Sequence, residues 1–226
     1  MTNASVLWRA CRSAAGIAVM CASVSAPCPL GAQSPGGGSP GLPPRDEWQR
    51  VPEILAALGI AEGQRVADVA AGEGYLIKAL SRAAGQSGRV FAVEIGESEL
   101  RSLRDLTLRA GLTNVEVVTG TASDPRLPGP IDRAVVLNSY HEFTNYREML
   151  AAIRRYLRPG GLLVMVDNAP FGTNPSRDYQ ARHHMLNLAF ADAELRTAGF
   201  EIVDRQDTFI REPFRQWLIA ARRPSR

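Results

Sequence analysis

This 226-residue chain contains a turn with two glycines directly after a short apolar run. Residues of these types at this spacing are typical of a ligand-binding site. Gly72 and Gly74 follow Asp68 closely, and a second acidic residue, Glu94, comes 20 positions after Gly74. Glycines let the backbone approach a ligand, and a carboxylate at that spacing accepts hydrogen bonds from ribose hydroxyls. The spacing therefore predicts a site for an adenosine-containing ligand.

The residues around the two glycines help to separate nucleotide classes. A dinucleotide-dependent dehydrogenase has a third glycine three positions after the second, where the helix packs closely on the strand. That position is Ile77 in this chain. The absence of the third glycine weakens the interpretation as a nicotinamide-dependent oxidoreductase, which stays as an alternative.

A second polar group, Tyr140-His141-Glu142, directly follows the fourth apolar run of the chain. His141 is the candidate catalytic residue, because an imidazole can remove a proton from a hydroxyl or an amine. Tyr140 is the second catalytic candidate, as a residue that orients the same acceptor. The structural alternative is that His141 caps the next helix or fills the pocket without chemistry.

Apolar, β-branched runs alternate with helix-like stretches after Asp46, which predicts a mainly parallel sheet with helices on both faces. Phe200–Arg205 and Phe214–Ala221 leave no room for a helix between them, so they must form a terminal antiparallel hairpin. The sequence therefore predicts an α/β fold with seven strands. The other runs are Val66–Ala70, Val90–Ile95, Val115–Thr119, Ala134–Asn138 and Leu162–Asp167, and the helix-like stretches are Asp46–Leu58, Tyr75–Ala84, Ser98–Ala110, Tyr146–Leu157 and an insertion, Arg177–Phe190.

Residues 1–32 have the pattern of a secretory signal peptide. They contain Arg9 and Arg12, no acidic residue, and an apolar run over Ala14–Ala26 that ends near small residues. A spanning helix needs about 20 apolar residues, so this run is too short to cross a bilayer. We expect cleavage after Ala32, with Ala26 as the second site because Pro27 would follow that cut, and no stable membrane insertion of the mature protein.

The predicted mature chain has a Pro/Gly-rich linker over residues 33–44 and a single domain over residues 45–226. Loss of the two leader arginines lowers the net charge from +3 to +1, which removes any basic signature of nucleic-acid binding. All three cysteines lie in the leader, so the domain contains neither a disulfide nor a thiolate. The predicted location is exported, periplasmic or secreted, and the alternative is cytoplasmic if the leader is not a functional signal.

The domain resembles the class I S-adenosylmethionine-dependent methyltransferases, in particular the small ubiquinone-biosynthesis-like group. The resemblance covers about Asp46 to Arg222 and rests on an acidic residue two positions before a G-x-G-x-G-type turn. The further matching pieces are Trp48-Gln49-Arg50, Gly63–Asp68, Asn138–Glu142, Leu157–Gly161 and Ala198-Gly199-Phe200. The resemblance implies a Rossmann-like sheet, S-adenosyl-L-methionine as cofactor, and methyl transfer to a small-molecule acceptor.

Carried over position by position, the resemblance also implies which residues bind the cofactor. Asp68, Gly72 and Gly74 shape the pocket for the amino acid end, Glu94 binds ribose, and Ile95 packs on adenine. Ala70 replaces the first glycine of the turn, which costs about 1 kcal/mol if that position needs a positive φ. The complete set of implied cofactor residues is Asp68, Ala70, Gly72, Gly74, Glu94, Ile95, Thr121, Ala122 and Asn138, with Asp124 as a possible substitute near adenine.

Two further pairs of side chains raise the question of a metal ion, and we predict none. His183 and His184 fall in the expected helical lid, and neighbours on a helix point about 100° apart, so both do not readily bind one ion. Asp167-Asn168 resembles the pair of metal-dependent catechol-type O-methyltransferases, but Asn138 stands where that family has a further acidic ligand.

Two alternatives to an active methyltransferase remain. A non-catalytic domain that binds an adenosine cofactor would keep Asp68, Gly72 and Glu94 without a working acceptor site. The nicotinamide-dependent oxidoreductase is the third. An exported methyltransferase also needs a supply of a cofactor that is made in the cytosol.

Overall fold

The seven strands form one sheet with the order β3-β2-β1-β4-β5-β7-β6. The computed structural model describes residues 43–170, 172 and 176–225, so the predicted signal peptide and most of the predicted linker lie outside the described residues. The strands are β1 (Arg65–Val69), β2 (Arg89–Glu94), β3 (Val115–Thr119), β4 (Ile131–Leu137), β5 (Leu157–Asn168), β6 (Glu201–Ile210) and β7 (Gln216–Arg222).

Strands β1 to β5 run parallel to one another, and β7 is antiparallel to both β5 and β6. Strands that helices cover on both faces read as continuous apolar runs, which is why β1, β2 and β4 show no polar alternation. The outer strand β6 is largely exposed along its first eight residues. The predicted α/β class, the seven strands and the terminal hairpin are confirmed.

Helices cover both faces of the sheet. α2, α3 and α4 contribute Ile54, Leu58, Leu80 and Leu103 to one apolar cluster with β1, β2, β4 and β5, while α5 and α7 contact β5, β6 and β7. The helices are α1 (Arg45–Trp48), α2 (Val51–Leu58), α3 (Ile77–Ala84), α4 (Glu97–Arg109), α5 (Tyr146–Tyr156), α6 (Arg177–Arg182) and α7 (Leu188–Thr197). None of the described helices is long and apolar enough to cross a membrane.

Two predicted helices are interrupted, and the interruptions matter for the site. The expected helix Asp46–Leu58 breaks because Arg50 has a φ of 54°, and α2 starts again with a proline in its first turn. The expected insertion helix Arg177–Phe190 ends at Arg182, and His184 has a φ of 56°. Hydrophobic periodicity continues across such breaks, so it did not reveal them.

Parallel strands bring their carboxyl ends to the same edge of the sheet, and this edge collects most of the predicted site residues. Val69, Glu94 and Leu137 end β1, β2 and β4 there, and Asn168 ends β5 beside them. The segments that follow these four residues form the two sites described next.

Candidate cofactor and acceptor sites

The turn after β1 has a backbone conformation that accounts for its glycines. Ala70, Gly72 and Gly74 have φ values of 63°, 57° and 89°, in the left-handed region that strains a residue with a Cβ. A Cβ on Gly74 would lie 2.5 Å from Leu106 Cδ2 of α4. Gly74 therefore allows the turn to pack against α4.

Gly72 serves a different purpose in the same turn. Within the described residues, a Cβ added to Gly72 would meet no atom within 4 Å apart from its chain neighbours. The turn is thus open at Gly72, as a ligand-binding turn must be. Ala70 adopts the positive φ for which the sequence analysis expected a cost. The methyl group makes this backbone conformation less favourable by about 1 kcal/mol than it would be for glycine.

The Glu94 carboxylate connects this turn to the end of β2. Oε2 accepts a hydrogen bond from the Gly72 amide at 2.9 Å, and Oε1 accepts one from the Ile95 amide at 2.7 Å. Burial raises the pKa of Glu94 and outweighs the hydrogen bonds from the backbone amides of Ile95, Gly72 and Gly96, which lower it. A carboxylate has about four acceptor positions, so the three amides leave one of them on Glu94, which is itself 2% exposed.

Asp68 lies on β1, the strand next to Glu94, and its side chain is buried. Burial and the charge of Glu94 raise the pKa of Asp68 to about 7, and the charge of Arg45 opposes this rise. Asp68 therefore gains or loses its proton near neutral pH. A cationic group placed beside it would favour the ionised form.

The loop after β3 runs beside the end of β2, since the Gly120 amide donates to the Glu94 carbonyl at 2.9 Å. This places Thr121 and Ala122 on the same side as Ile95, and all three are partly exposed. The Thr121 hydroxyl accepts a hydrogen bond from the Asp124 amide at 3.0 Å. Its oxygen therefore stabilises the loop itself.

Both carboxylate oxygens of Asp124 accept hydrogen bonds from other groups of the chain. Its Oδ2 accepts a hydrogen bond from Arg155 Nη2 at 2.9 Å, and its Oδ1 accepts one from the Arg126 amide at 2.7 Å. With both oxygens engaged, Asp124 has a structural role in the loop. The geometry gives no support to its substitution for an adenine-binding acid.

Asn138 belongs to a network of side-chain amides at the ends of β4, β5 and β7. Its Nδ2 donates to Gln49 Oε1 at 3.2 Å, and its Oδ1 accepts from Gln216 Nε2 at 2.9 Å. Gln216 also accepts from Gln49 at 2.8 Å and donates to Asn168 at 3.0 Å. Gln49 and Gln216 are fully buried. The network therefore holds the break between α1 and α2 over the sheet edge, next to the turn.

His141 is fixed from behind by Asp167 at the end of β5. Asp167 Oδ1 lies 2.7 Å from His141 Nδ1, and Oδ2 accepts from the His141 amide at 2.8 Å. Burial lowers the pKa of His141, but the charge and hydrogen bond of Asp167, together with the nearby charge of Glu142, outweigh it and raise the pKa to about 10. The ring is therefore protonated at neutral pH, which disfavours the predicted role as a general base.

Tyr140 lies in the interior of the domain. Its ring is fully buried, and its hydroxyl donates to Glu194 Oε2 at 2.5 Å. Arg177 Nε donates to the other oxygen of Glu194 at 2.7 Å. Burial and the Glu194 charge raise the pKa of Tyr140. Tyr140 thus anchors the segment around α6 and α7, and the geometry does not place its hydroxyl where it would orient an acceptor.

The two adjacent histidines separate after α6. His183 stacks on Tyr179, with ring centroids 4.1 Å apart. His184 turns towards the segment Tyr140–Glu142, and its Nδ1 lies 3.8 Å from Glu142 Oε1. This geometry agrees with the expectation that His183 and His184 do not readily bind one ion. His184 instead lies beside His141, with ring centroids 5.5 Å apart, a contact that the sequence did not predict.

The region that carries the glycine turn and the segment Tyr140–Glu142 has known relatives. Residues 66–161 match the family model of a methyltransferase domain. The match spans β1 to the start of β5 and therefore includes the glycine turn, Glu94 and His141. It supports the predicted resemblance to class I S-adenosylmethionine-dependent methyltransferases.

Curated relatives of the matched region are similar to this chain over part of their length. The ubiquinone/menaquinone biosynthesis C-methyltransferase UbiE of Pseudomonas fluorescens is 34% identical over 139 residues, which is 59% of this chain and 53% of the relative. That of Cupriavidus taiwanensis is 31% identical over 113 residues, 50% of this chain and 46% of the relative. The chain spans about half the length of the curated relatives that it matches.

Solved structures share the methyltransferase fold at low sequence identity. A SAM-dependent methyltransferase from Aquifex aeolicus has a TM-score of 0.67 at 21% identity, covering 79% of this chain and 92% of that one. A possible exported protein from Bordetella parapertussis has a TM-score of 0.62 at 19% identity, covering 85% and 76%. SpnF, described as a cyclase, has a TM-score of 0.65 at 19% identity, covering 78% and 81%. At these identities the likeness shows the fold alone.

The described residues also include site residues that sequence reasoning missed. Gln49 and Gln216 are separated by 167 positions and meet only because α1 and β7 converge at the sheet edge. The contact of His184 with Glu142 depends on the left-handed backbone at His184. No local pattern indicated either contact, although buried glutamines inside apolar segments are a weak signal that a polar network is present.

Proposed function

We propose that this protein transfers a methyl group from S-adenosyl-L-methionine to a small-molecule acceptor. The observation that carries the proposal is the open turn Ala70–Gly74 hydrogen-bonded to Glu94, at the carboxyl edge of a sheet whose sequence matches a methyltransferase domain. A ligand at this edge contacts the ends of several strands at once.

The residues at this edge fit such a cofactor. Gly72 leaves space beside the turn, and Glu94 retains an acceptor position for a ribose hydroxyl. Ile95 offers an apolar, partly exposed surface for an adenine ring. Asp68 offers a carboxylate for the cationic amino acid end. A positive charge beside Asp68 would lower this raised pKa and favour the ionised form of the side chain.

The acceptor is expected beside the loop after β4. The bound cofactor supplies an electrophilic methyl group, and the acceptor nucleophile must be aligned with it while water is excluded. His141 carries a positive charge at neutral pH and is held by Asp167. It therefore stabilises an acceptor that carries negative charge, and it does not remove the acceptor's proton.

A binding titration tests the cofactor assignment. We expect the purified protein to bind S-adenosylmethionine and S-adenosylhomocysteine at micromolar concentrations and to show no binding of NAD. Glu94→Gln keeps one acceptor oxygen and removes the charge, and a charge-assisted hydrogen bond contributes about 1.5–3 kcal/mol. The variant should bind both ligands about 10- to 100-fold more weakly.

Glu116→Ala is the matched control, because Glu116 is an exposed carboxylate on the neighbouring strand β3. It should bind as the unmodified protein does. Equal binding by Glu94→Gln and Glu116→Ala would remove the ribose assignment. Binding of NAD in place of the two sulfur ligands would remove the proposed function.

A cofactor-binding domain without methyl transfer is the second candidate. The buried Tyr140 hydroxyl and the protonated His141 favour it, because neither provides a general base. The fold also occurs in a protein described as a cyclase, so the fold alone does not fix the reaction. Cofactor binding without turnover across a panel of phenol, thiol, amine and carbon-acid acceptors would favour this candidate.

We also propose that the protein is exported. The support is the arrangement of Arg9, Arg12 and the apolar run in residues 1–32; a similarly folded protein is described as possibly exported. Expression of the full chain in a bacterium, followed by fractionation and N-terminal sequencing, tests this. A mature chain that begins at Gln33 in the exported fraction is the expected result, and an intact leader in the cytoplasm would refute export.

A further inference from the structure

Three side chains with the chemistry of metal ligands meet above the end of β5. His141 Nε2 lies 3.6 Å from Glu142 Oε1, and His184 Nδ1 lies 3.8 Å from the same oxygen. One ligand atom from each residue fits within a group in which all separations are at most 4.8 Å. The group combines two imidazoles with one carboxylate, a set that suits a divalent transition metal.

The buried histidine presents its ligating atom to this group. Asp167 accepts a hydrogen bond from His141 Nδ1, and a carboxylate only accepts, so in the neutral ring the lone pair lies on Nε2. His141 is 3% exposed, and Nε2 has no hydrogen-bond partner among the described residues. A buried nitrogen without a partner is costly, and a metal ion on Nε2 would remove that cost.

The end of β5 holds both histidines in place. Asp167 orients His141 through the ring and the backbone amide, and Asn168 Nδ2 donates to the His184 carbonyl at 3.1 Å. A carboxylate that accepts from the outer nitrogen of a metal-bound histidine fixes the ring and raises its basicity. The described residues therefore include the partner that orients a metal-binding histidine.

The two distances to Glu142 are close to those of a metal site, and the third separation, between the two histidines, is at most 4.8 Å. Tetrahedral bonds of about 2.0–2.1 Å place ligand atoms about 3.3 Å apart, close to the observed 3.6 and 3.8 Å. Glu142 and His184 are partly exposed, with side-chain accessibilities of 36% and 45%. The group is thus closed on the protein side and open on the solvent side.

We propose that His141, Glu142 and His184 bind one zinc ion and leave its fourth position open to an oxygen ligand. The ion replaces the proton on Nε2, and Asp167 and Glu142 stabilise either cation. Water, or a hydroxyl or carboxylate oxygen of a small molecule, occupies the fourth position. Zinc there would polarise that oxygen as a Lewis acid. The site shares His141 with the proposed acceptor site but no residue with the glycine turn, so a loss of zinc binding and a loss of cofactor binding are distinguishable.

The test is a metal titration of the full purified protein after treatment with EDTA. We expect one equivalent of zinc by calorimetry, and one equivalent of cobalt(II) with the visible absorption of a tetrahedral site. His184→Ala should weaken zinc binding at least tenfold. His184 is partly exposed and lies beyond the end of α6, so its replacement leaves the buried core intact.

His183→Ala is the matched control, because His183 is adjacent in sequence and stacks on Tyr179, away from the cluster. It should bind zinc within about twofold of the unmodified protein. Glu142→Gln provides a second loss-of-ligand variant, and the circular dichroism spectra of all three variants report that they are folded. No saturable zinc binding, or equal weakening by His183→Ala and His184→Ala, would overturn the proposal.

Discussion

Replacement of Asp68 by asparagine should stabilise the ligand-free protein at alkaline pH. Burial and the charge of Glu94 raise the pKa of Asp68 from 3.8 to about 7. Each pKa unit corresponds to about 1.36 kcal/mol, so the ionised carboxylate costs the folded state up to about 4 kcal/mol above pH 7. An asparagine keeps the shape of the side chain and removes that cost.

The pH dependence follows from the direction of the shift. Between about pH 4 and pH 7, Asp68 is ionised in the unfolded chain and protonated in the folded one. The folded state then binds more protons, so the contribution of Asp68 to the free energy of unfolding falls as the pH rises through this window. The contribution is fully present below the unfolded pKa and is lost above about 7.

Urea unfolding at pH 4.5 and pH 8, followed by circular dichroism, measures the effect. We expect Asp68→Asn to be more stable than the unmodified protein by about 1–4 kcal/mol at pH 8, with a smaller difference at pH 4.5. The same variant should bind S-adenosylhomocysteine more weakly, because the cationic end loses its carboxylate. A variant that is less stable at pH 8, or a difference that does not change with pH, would refute the reasoning.

Two further variants probe the turn and the amide network. Ala70→Gly relieves about 1 kcal/mol of strain at a φ of 63°, but glycine also loses more entropy on folding, so stability should change by less than about 1 kcal/mol. Calorimetry should show that the Ala70→Gly variant binds S-adenosylmethionine a few-fold more tightly, because the methyl group no longer narrows the turn. Looser binding would contradict this. Gln216→Ala leaves buried polar atoms of Gln49 and Asn138 without a partner, which should lower the free energy of unfolding by about 2–4 kcal/mol. A loss below about 0.5 kcal/mol in urea unfolding would show that the network is not structurally important.

Much of the fold was predictable because it depends on neighbours along the chain. β-branched runs, glycines and the short connection between β6 and β7 indicated the strand number and the hairpin. Glycine tolerates the positive φ observed at Gly72 and Gly74, so their residue type is consistent with the turn. The two helix breaks were missed, because Arg50 and His184 adopt left-handed conformations that their residue types do not favour.

The order of the elements follows from the chain alone, as do the positions of the glycine turn and of Glu94 at the end of a strand. Which polar groups meet there depends on the packing of elements that are distant in the chain. This packing buries Tyr140 against Glu194, joins Gln49 to Gln216, and brings His184 to Glu142. These contacts join residues that are 54, 167 and 42 positions apart, so they form only when packed elements converge, and no short-range pattern in the chain encodes them.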